Sequence, residues 1–520
     1  MTRIKVSLLS FVLILFLEPL IKAQKVEPPK PYGPLPTNTQ LQWHETEMYA
    51  FIHFTINTFT NKEWGYGDED PALFNPTDFN ADQIISTIKA SGLKGVVLTC
   101  KHHDGFCLWP TKTTEHNISK SPWKNGKGDI VREISEACKR YGLKFGIYIS
   151  PWDRNNSNYS KPEYLKIYRA QLRELLTNYG PIFETWHDGA NGGDGFYGGA
   201  REKRIIDKTT YYDWINTWNI VRELQPQAAI FGDVGPDIRW VGTEAGYSGN
   251  PCWATYTPHG MTDPNKPSNG DVLSDEAMNG HRDGKYWMPA EVDFSIRPGW
   301  FWHESENDKV KSSQDLLNHY FNSVGNGANM ILNIPPDRRG HVFEKDSTSL
   351  VGFGRLINQM YAKNFASGAK VTASNTRGNA LNYSPKLIID NDRYSYWATD
   401  DSITTANLVL QLKGKQRFNV LRIRENIKLG QRIDDWAIDV MENGYWKEYA
   451  KGSAIGSCRL VRGPFITADK VRIRITKASA CPCISEVSIY AEPRILSTPD
   501  INGNKKGDTP IKIISAAQSN

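Results

Sequence analysis

A basic stripe is missing from this chain. The formal net charge is only +5 over 520 residues, and its lysines and arginines are scattered, which argues against a nucleic-acid partner. No Gly-rich nucleotide fingerprint follows the first apolar strand, which weakens a dinucleotide-binding fold. The apolar run Val6–Leu17 is short for a membrane span, so the mature chain is expected to carry none. Cysteine is scarce and odd in number, at seven. Cys481 and Cys483 are awkwardly spaced for a mutual disulfide. Cys458 is a candidate partner for either, and buried thiols are the alternative.

With 39% hydrophobic and 23% charged residues, the chain is globular rather than disordered. Its 16 tryptophans suit sugar faces, although core packing also uses them. Arg3 and Lys5, the apolar run and Ala23 read together as a secretory signal peptide over residues 1–23. That makes the mature protein exported, periplasmic or secreted. No cysteine lies near the cut, which disfavours a lipid anchor.

Residues 24–40 are rich in proline and polar groups and read as a linker or wrapping arm. From 41 to 360 strand and helix patterns alternate. Apolar runs at Tyr49–Thr55, Gly95–Cys100, Lys144–Ser150, Pro181–Trp186, Ala228–Gly232, Tyr286–Phe294 and Asn329–Ile334 read as strands. Helical spacing covers Ala81–Ser91, Asp129–Tyr141, Tyr164–Tyr179 and Tyr212–Leu224. This α/β alternation predicts a parallel sheet closed as a (β/α)8-like TIM barrel. Residues 361–492 change texture. Short β-like runs at Lys386–Ile389, Asn407–Leu412, Val420–Arg424, Trp436–Met441, Val471–Thr476 and Val487–Tyr490 predict an all-β sandwich. Residues 493–520 form a polar tail.

In such barrels the chemistry sits where strands end. These strand ends carry His53, then Lys101-His102-His103-Asp104, then Tyr148 and Trp152, then Trp186-His187-Asp188, then Arg239, Trp240 and Glu244. Asp188, in PIFETWHDGAN, precedes a Gly-rich stretch that is a poor helix start, so room for a ligand is a better reading than a helix cap. Glu244 lies between Gly242 and Gly246. Glu291 and Asp293 are rivals at another strand end. Glu184 shares the parity of Trp186 and is expected to point into the barrel. Two carboxylates on separate strand ends, among aromatics and histidines, are what glycoside hydrolysis needs. Cys100, His102, His103 and Cys107 match no common zinc spacing, and no metal is expected in the active site.

Five motifs in order, AFIHFT, KHHDGF, FGIYIS, ETWHDGAN and GNGANMILNIPPDRRG, resemble those of the α-L-fucosidases of glycoside hydrolase family 29. The resemblance makes Asp188 the nucleophile and gives His53, His102, His103, Glu63, Trp64 and Trp186 contacts to fucose, with Tyr148 beside them. VGTEAG resembles the branch active on α-1,3/1,4 fucosides and places the acid/base at Glu244, with Thr243 where that pattern has Asn. The chain also departs from the I-H-W-G of the broad-specificity members at Ile52-His53-Phe54-Thr55. The implied activity is a retaining exo-α-L-fucosidase acting on fucosylated glycans and requiring no cofactor. NFASGAKVTAS, DNDRYSYWAT and ISEVSIY resemble galactose-binding-like sandwiches of the coagulation-factor 5/8 type. These modules often hold a structural Ca²⁺. Asp390 and Asp392 offer ligands for it and also fit a plain turn.

Overall fold

The computed structural model describes residues 26–493. The expected signal peptide and the tail from 494 onward lie outside the described residues. Eight parallel strands close a barrel: β1 Met48–Ile52, β2 Gly95–Lys101, β3 Lys144–Ile149, β4 Glu184–Trp186, β5 Ala229–Gly232, β6 Ile238–Trp240, β7 Ala290–Ser295 and β8 Asn329–Asn333. Each strand pairs with its sequence neighbours, and β1 pairs with β8.

Period-two alternation sorts the side chains. Tyr49, Phe51, Val97, Tyr148, Trp186, Phe231 and Ile331 fill the barrel interior. Ala50, Ile52, Val96, Leu98, Ile147 and Ile149 pack outward against the covering helices. Those helices start where the sequence supplies caps. Asn80 accepts from Gln83 N ahead of Ala81–Ala90, and Asp129 accepts from Arg132 N ahead of Ile130–Tyr141. No helix among the described residues is long and apolar enough to cross a membrane.

Three expectations need correction. Tyr286–Phe294 is not one strand. Tyr286–Trp287 pairs with Thr255–Tyr256 outside the barrel, and β7 begins at Ala290. Pro289 lies between them and has no N–H to continue a ladder. Next, β6 is a barrel strand that follows β5 after only five residues and no helix, so strand–helix alternation does not reveal it. The Asp237 carboxylate stitches that short link by accepting from Ile230 N and pairing with Arg222. Lastly, Lys386–Ile389 lies in a 3₁₀ turn, Pro385–Ile389, because Pro385 presets φ and Ser384 caps it.

The C-terminal part is an antiparallel β-sandwich. Asn407–Leu412 and Val420–Arg424 are parts of one strand, Ala406–Glu425, which pairs along its length with Arg459–Ala478 through two register shifts. Leu408, Leu410, Leu421, Ile423, Ile438, Val471 and Ile473 form its own core. Arg459 donates to Asn326 and Asn250, Arg462 donates to Asn318, and Arg424 pairs with Glu47, which fastens the sandwich to the barrel. The arm before the barrel lies along the sandwich: Tyr32 N donates to Leu429 O, and Arg377 donates to Glu27 O. All seven cysteines are free and buried. The Asp390 and Asp392 carboxylates accept from Asp392 N, Tyr394 N, Ser395 N and Ser395 Oγ, which is the geometry of a plain turn.

Candidate active site

A cavity of about 360 Å³ opens at the C-terminal end of the barrel. Of the residues singled out from sequence, His53, Trp64, His102, His103, Tyr148, Trp186, Asp188 and Glu244 line it together. On β4 and just beyond, Glu184, Trp186 and Asp188 share the inner face. His187 points the other way, buried against Trp214 with Nδ1 at 2.9 Å from Tyr168 OH. The Asp188 oxygens accept from Ala190 N at 2.6 Å and Tyr148 OH at 2.8 Å. His103 Nε2 lies 3.8 Å from Asp188 Oδ2. Burial raises the Asp188 pKa above the ordinary value, and the amide and phenol donors oppose that rise.

Glu244 stands at the rim on a turn that needs its flanking glycines. At Gly246, with φ of 79°, a Cβ would come within 2.5 Å of His319 Nδ1. Trp300 Nε1 donates to Glu244 Oε2 at 3.1 Å. Burial raises the Glu244 pKa, the Trp300 bond lowers it, and the charges of Asp188 and Glu63 raise it further.

The hydrogen-bond network sets the histidine tautomers. Asn333 Nδ2 donates to Ser295 and to Trp300 O, so its Oδ1 accepts from His53 Nδ1–H, at 2.9 Å. Ser150 spends its hydroxyl proton on Trp152 O and therefore accepts from His103 Nδ1–H, at 2.7 Å. His102 Nδ1 instead accepts from Asn57 Nδ2 at 3.4 Å. The pocket is thus offered two ring acceptors, His53 Nε2 and His103 Nε2, and one ring donor, His102 Nε2–H. Burial is the largest cause keeping all three rings neutral, with pKa values lowered to about 3 for His53 and His103.

Trp64 is half exposed at the rim, edge-on to His103 at 5.1 Å. Trp186 stacks on Phe231 at 4.0 Å and forms part of the floor with Tyr148. Glu63 departs from expectation. Its carboxylate receives Trp300 N, Phe301 N and His303 Nε2, and it braces the loop carrying Trp300 rather than lining the cavity. The rival Glu291 is fully buried beneath Trp186, away from the lining, whereas Asp293 does line it and accepts from Trp240 Nε1 at 2.9 Å.

Sequence reasoning missed Asp233, Lys208, Asn191 and Trp300, all on the lining. Asp233 follows β5 much as Asp188 follows β4, and that shared strand-end position was a usable signal. Its Oδ2 accepts from Gly270 N, and burial pushes its pKa up to about 7. A Cβ on Gly189 would come within 2.0 Å of that oxygen, so only glycine fits after Asp188. Lys208 and Asn191 carry no signal in the local pattern, because loop contacts bring them in.

Among the described residues, one group combines three metal-capable side chains: His259, Glu276 and His281, outside the cavity. His281 Nδ1 accepts from Thr257 N, so its Nε2 carries the proton toward Glu276. His259 Nδ1 lies 2.7 Å from the same Glu276 carboxylate. His281 Nε2 stands 3.6 Å from that carboxylate, beyond hydrogen-bond distance, and the bond from Thr257 N occupies the lone pair on its Nδ1.

Residues 34–360 match the α-L-fucosidase family model. The chain belongs to the α-L-fucosidase family of glycoside hydrolases. It is 39% identical over 495 residues to alpha-L-fucosidase 1 of Arabidopsis thaliana, covering 93% of this chain and 92% of that one. Among solved structures, a glycoside hydrolase 29 family member from an unknown rumen bacterium is 39% identical with a TM-score of 0.79, covering 92% of this chain and 81% of that one. A Ruminococcus gnavus GH29 fucosidase in complex with fucose is 32% identical with a TM-score of 0.79, covering 90% and 97% of the two chains. In this α-L-fucosidase the neutral histidines, the stacked aromatics and the carboxyls of Asp188, Asp233, Glu244 and Asp293 line one cavity.

Proposed function

We propose that this α-L-fucosidase is an exported, retaining exo-enzyme that releases terminal L-fucose from branched glycans by double displacement. Asp188 attacks the anomeric carbon, the bond to the aglycone oxygen breaks, and Glu244 protonates that oxygen. Glu244 then takes a proton from water, which attacks the same carbon and frees Asp188. The observation that carries this reading is the convergence of Asp188 and Glu244 on one cavity with three neutral histidines. The hydrogen bonds on Asp188 favour its anion. Glu244, with one donor and two repelling carboxylates, favours the acid. His53 and His103 accept from sugar hydroxyls and His102 donates, while Trp64 and Trp186 face the apolar side of the ring.

The α-1,3/1,4 preference rests on the VGTEAG turn and on the departure from I-H-W-G at Ile52–Thr55. We expect fucose release from a Lewis-type branched trisaccharide to exceed release from a simple aryl fucoside in kcat/KM. The reverse order would remove the branch assignment without touching the chemistry. Export rests on residues 1–23, and N-terminal sequencing of the mature protein should begin near Gln24. An intact Met1 on the exported form would contradict cleavage.

A further inference from the structure

Beneath the pocket floor, Glu184 on β4 and Glu291 on β7 meet across the barrel interior. Both are fully buried. Trp186 Nε1 donates to Glu291 Oε1 at 2.7 Å, and Tyr49 OH donates to Glu291 Oε2. Trp43 Nε1 is shared between Tyr49 OH at 2.9 Å and Glu184 Oε2 at 3.2 Å. Glu184 Oε1 has no partner if both groups are ionised. Among the described residues, no cation bonds to either carboxyl. Lys144, at the start of β3, feels Glu184, but its ammonium donates to Gln42 O and Thr46 Oγ1 instead. Asp293, two residues along β7, also faces Glu291, but burial first and then the Glu244 charge raise its own pKa well above the ordinary value, so it offers the pair no compensating positive charge. Two carboxylates in this position cannot both stay ionised.

We propose that Glu184 and Glu291 form an acid pair sharing one proton, and that the pair positions Trp186 and, through it, the Tyr148–Asp188 hydrogen bond. With the proton on Glu184 Oε1 and donated to Glu291, the orphaned oxygen acquires a partner. Glu291 remains the acceptor for Trp186 and Tyr49. Burial and the Glu291 charge both hold the Glu184 proton on, with Glu184 raised well above the ordinary carboxylate range. The mechanical chain is short. Glu291 fixes the Trp186 indole, Trp186 stacks on Tyr148 at 5.3 Å, and Tyr148 donates to Asp188 at 2.8 Å. These are positioning residues, since neither carboxyl reaches the cavity. The link to catalysis rests on the reading of Asp188 as nucleophile, whereas the shared proton does not.

Two measurements test the two halves. Difference infrared spectroscopy of the wild-type protein against Glu184→Gln should show loss of a protonated-carboxylic-acid carbonyl band that exchanges slowly in heavy water. The amide replaces the proton as donor to Glu291, so most activity should remain. If no acid band is lost, the shared proton is wrong, whatever Asp188 does. Glu291→Leu removes the acceptor for Trp186 and should lower kcat on the order of ten- to a hundredfold with little change in KM. Because Tyr148 holds the Asp188 pKa down, the acid limb of the kcat/KM profile should also move to higher pH. A merely structural role would lower stability and leave that limb in place, and an unmoved limb with normal kcat overturns the positioning. Should Glu291→Leu not fold, Trp186→Phe deletes the donor while keeping a ring on Phe231; because Trp186 also lines the cavity its KM can change too, so the readout there is the acid limb, which should again move to higher pH. An active Asp188→Asn enzyme would sink the catalytic reading separately, with the infrared result still standing.

Discussion

Asp188→Asn should lose roughly four orders of magnitude or more in kcat and yet melt no earlier than the parent at pH 7. The first half follows from the proposed covalent step, because an amide is too poor a nucleophile to form the glycosyl-enzyme. The second follows from the sign of the Asp188 shift. Burial raises its pKa in the folded state above the ordinary value of 3.8. Such a group contributes its full stability below the unfolded pKa and loses it as pH rises through the folded pKa. At pH 7 the native protein therefore carries a buried anion that the amide variant lacks. The variant's melting temperature should equal or exceed the parent's there, and its advantage should vanish as pH falls below about 4. Asparagine also keeps an oxygen to accept from Ala190 N, so the loop after β4 has no reason to move. Near-normal turnover would remove Asp188 as nucleophile. Low turnover with a collapsed melting temperature would show a fold defect instead.

Much of this geometry is legible in the chain before any coordinates. Asp188, His53 and the His102–His103 pair lie at or just beyond apolar runs, and a parallel barrel brings all strand ends to one mouth. Parity alone places Glu184 and Trp186 on one face, and the structure keeps them there. Roles that depend on distant partners are not legible. The family resemblance makes Glu63 a sugar contact, but its carboxylate is consumed by the amides of Trp300 and Phe301, more than two hundred residues away. Glu291 and Asp293 stand two apart on β7 and look equivalent in sequence. Depth along the barrel separates them, with Glu291 under the floor and Asp293 on the wall. β6 escapes notice because three residues without a preceding helix carry no periodicity to read. The sandwich strands are recognisable by alternation, but their fusion into twenty-residue strands depends on bulges that pairing creates.

Glu244→Gln should separate substrates by their leaving groups. With a glycan aglycone the departing alkoxide needs a proton, and removing the donor should cost roughly 10²–10⁴-fold. With an activated aryl fucoside the leaving group departs as a stable anion, and the loss should be smaller. Glu244→Ala with added azide should recover turnover and yield the fucosyl azide of retained configuration. The pH profile carries the second half of the argument. On the proposed mechanism activity requires ionised Asp188 and protonated Glu244, so it should fall as pH drops through the first pKa and as pH rises through the second. Both lie above ordinary carboxylate values, which shifts the whole bell toward neutrality. Glu244→Gln should erase the alkaline limb and leave the acid limb where it was. Asp233 is the competitor to check, because burial lifts its pKa to about 7 on the same lining. Its Oδ2 is already bonded to Gly270 N and crowded against Gly189, whereas Glu244 receives only the Trp300 indole and sits free at the rim. Asp233→Asn should therefore keep both limbs. If instead its alkaline limb disappears while that of Glu244→Gln persists, the proton reaches the leaving oxygen from Asp233, and the turn held by Gly242 and Gly246 serves binding rather than acid catalysis.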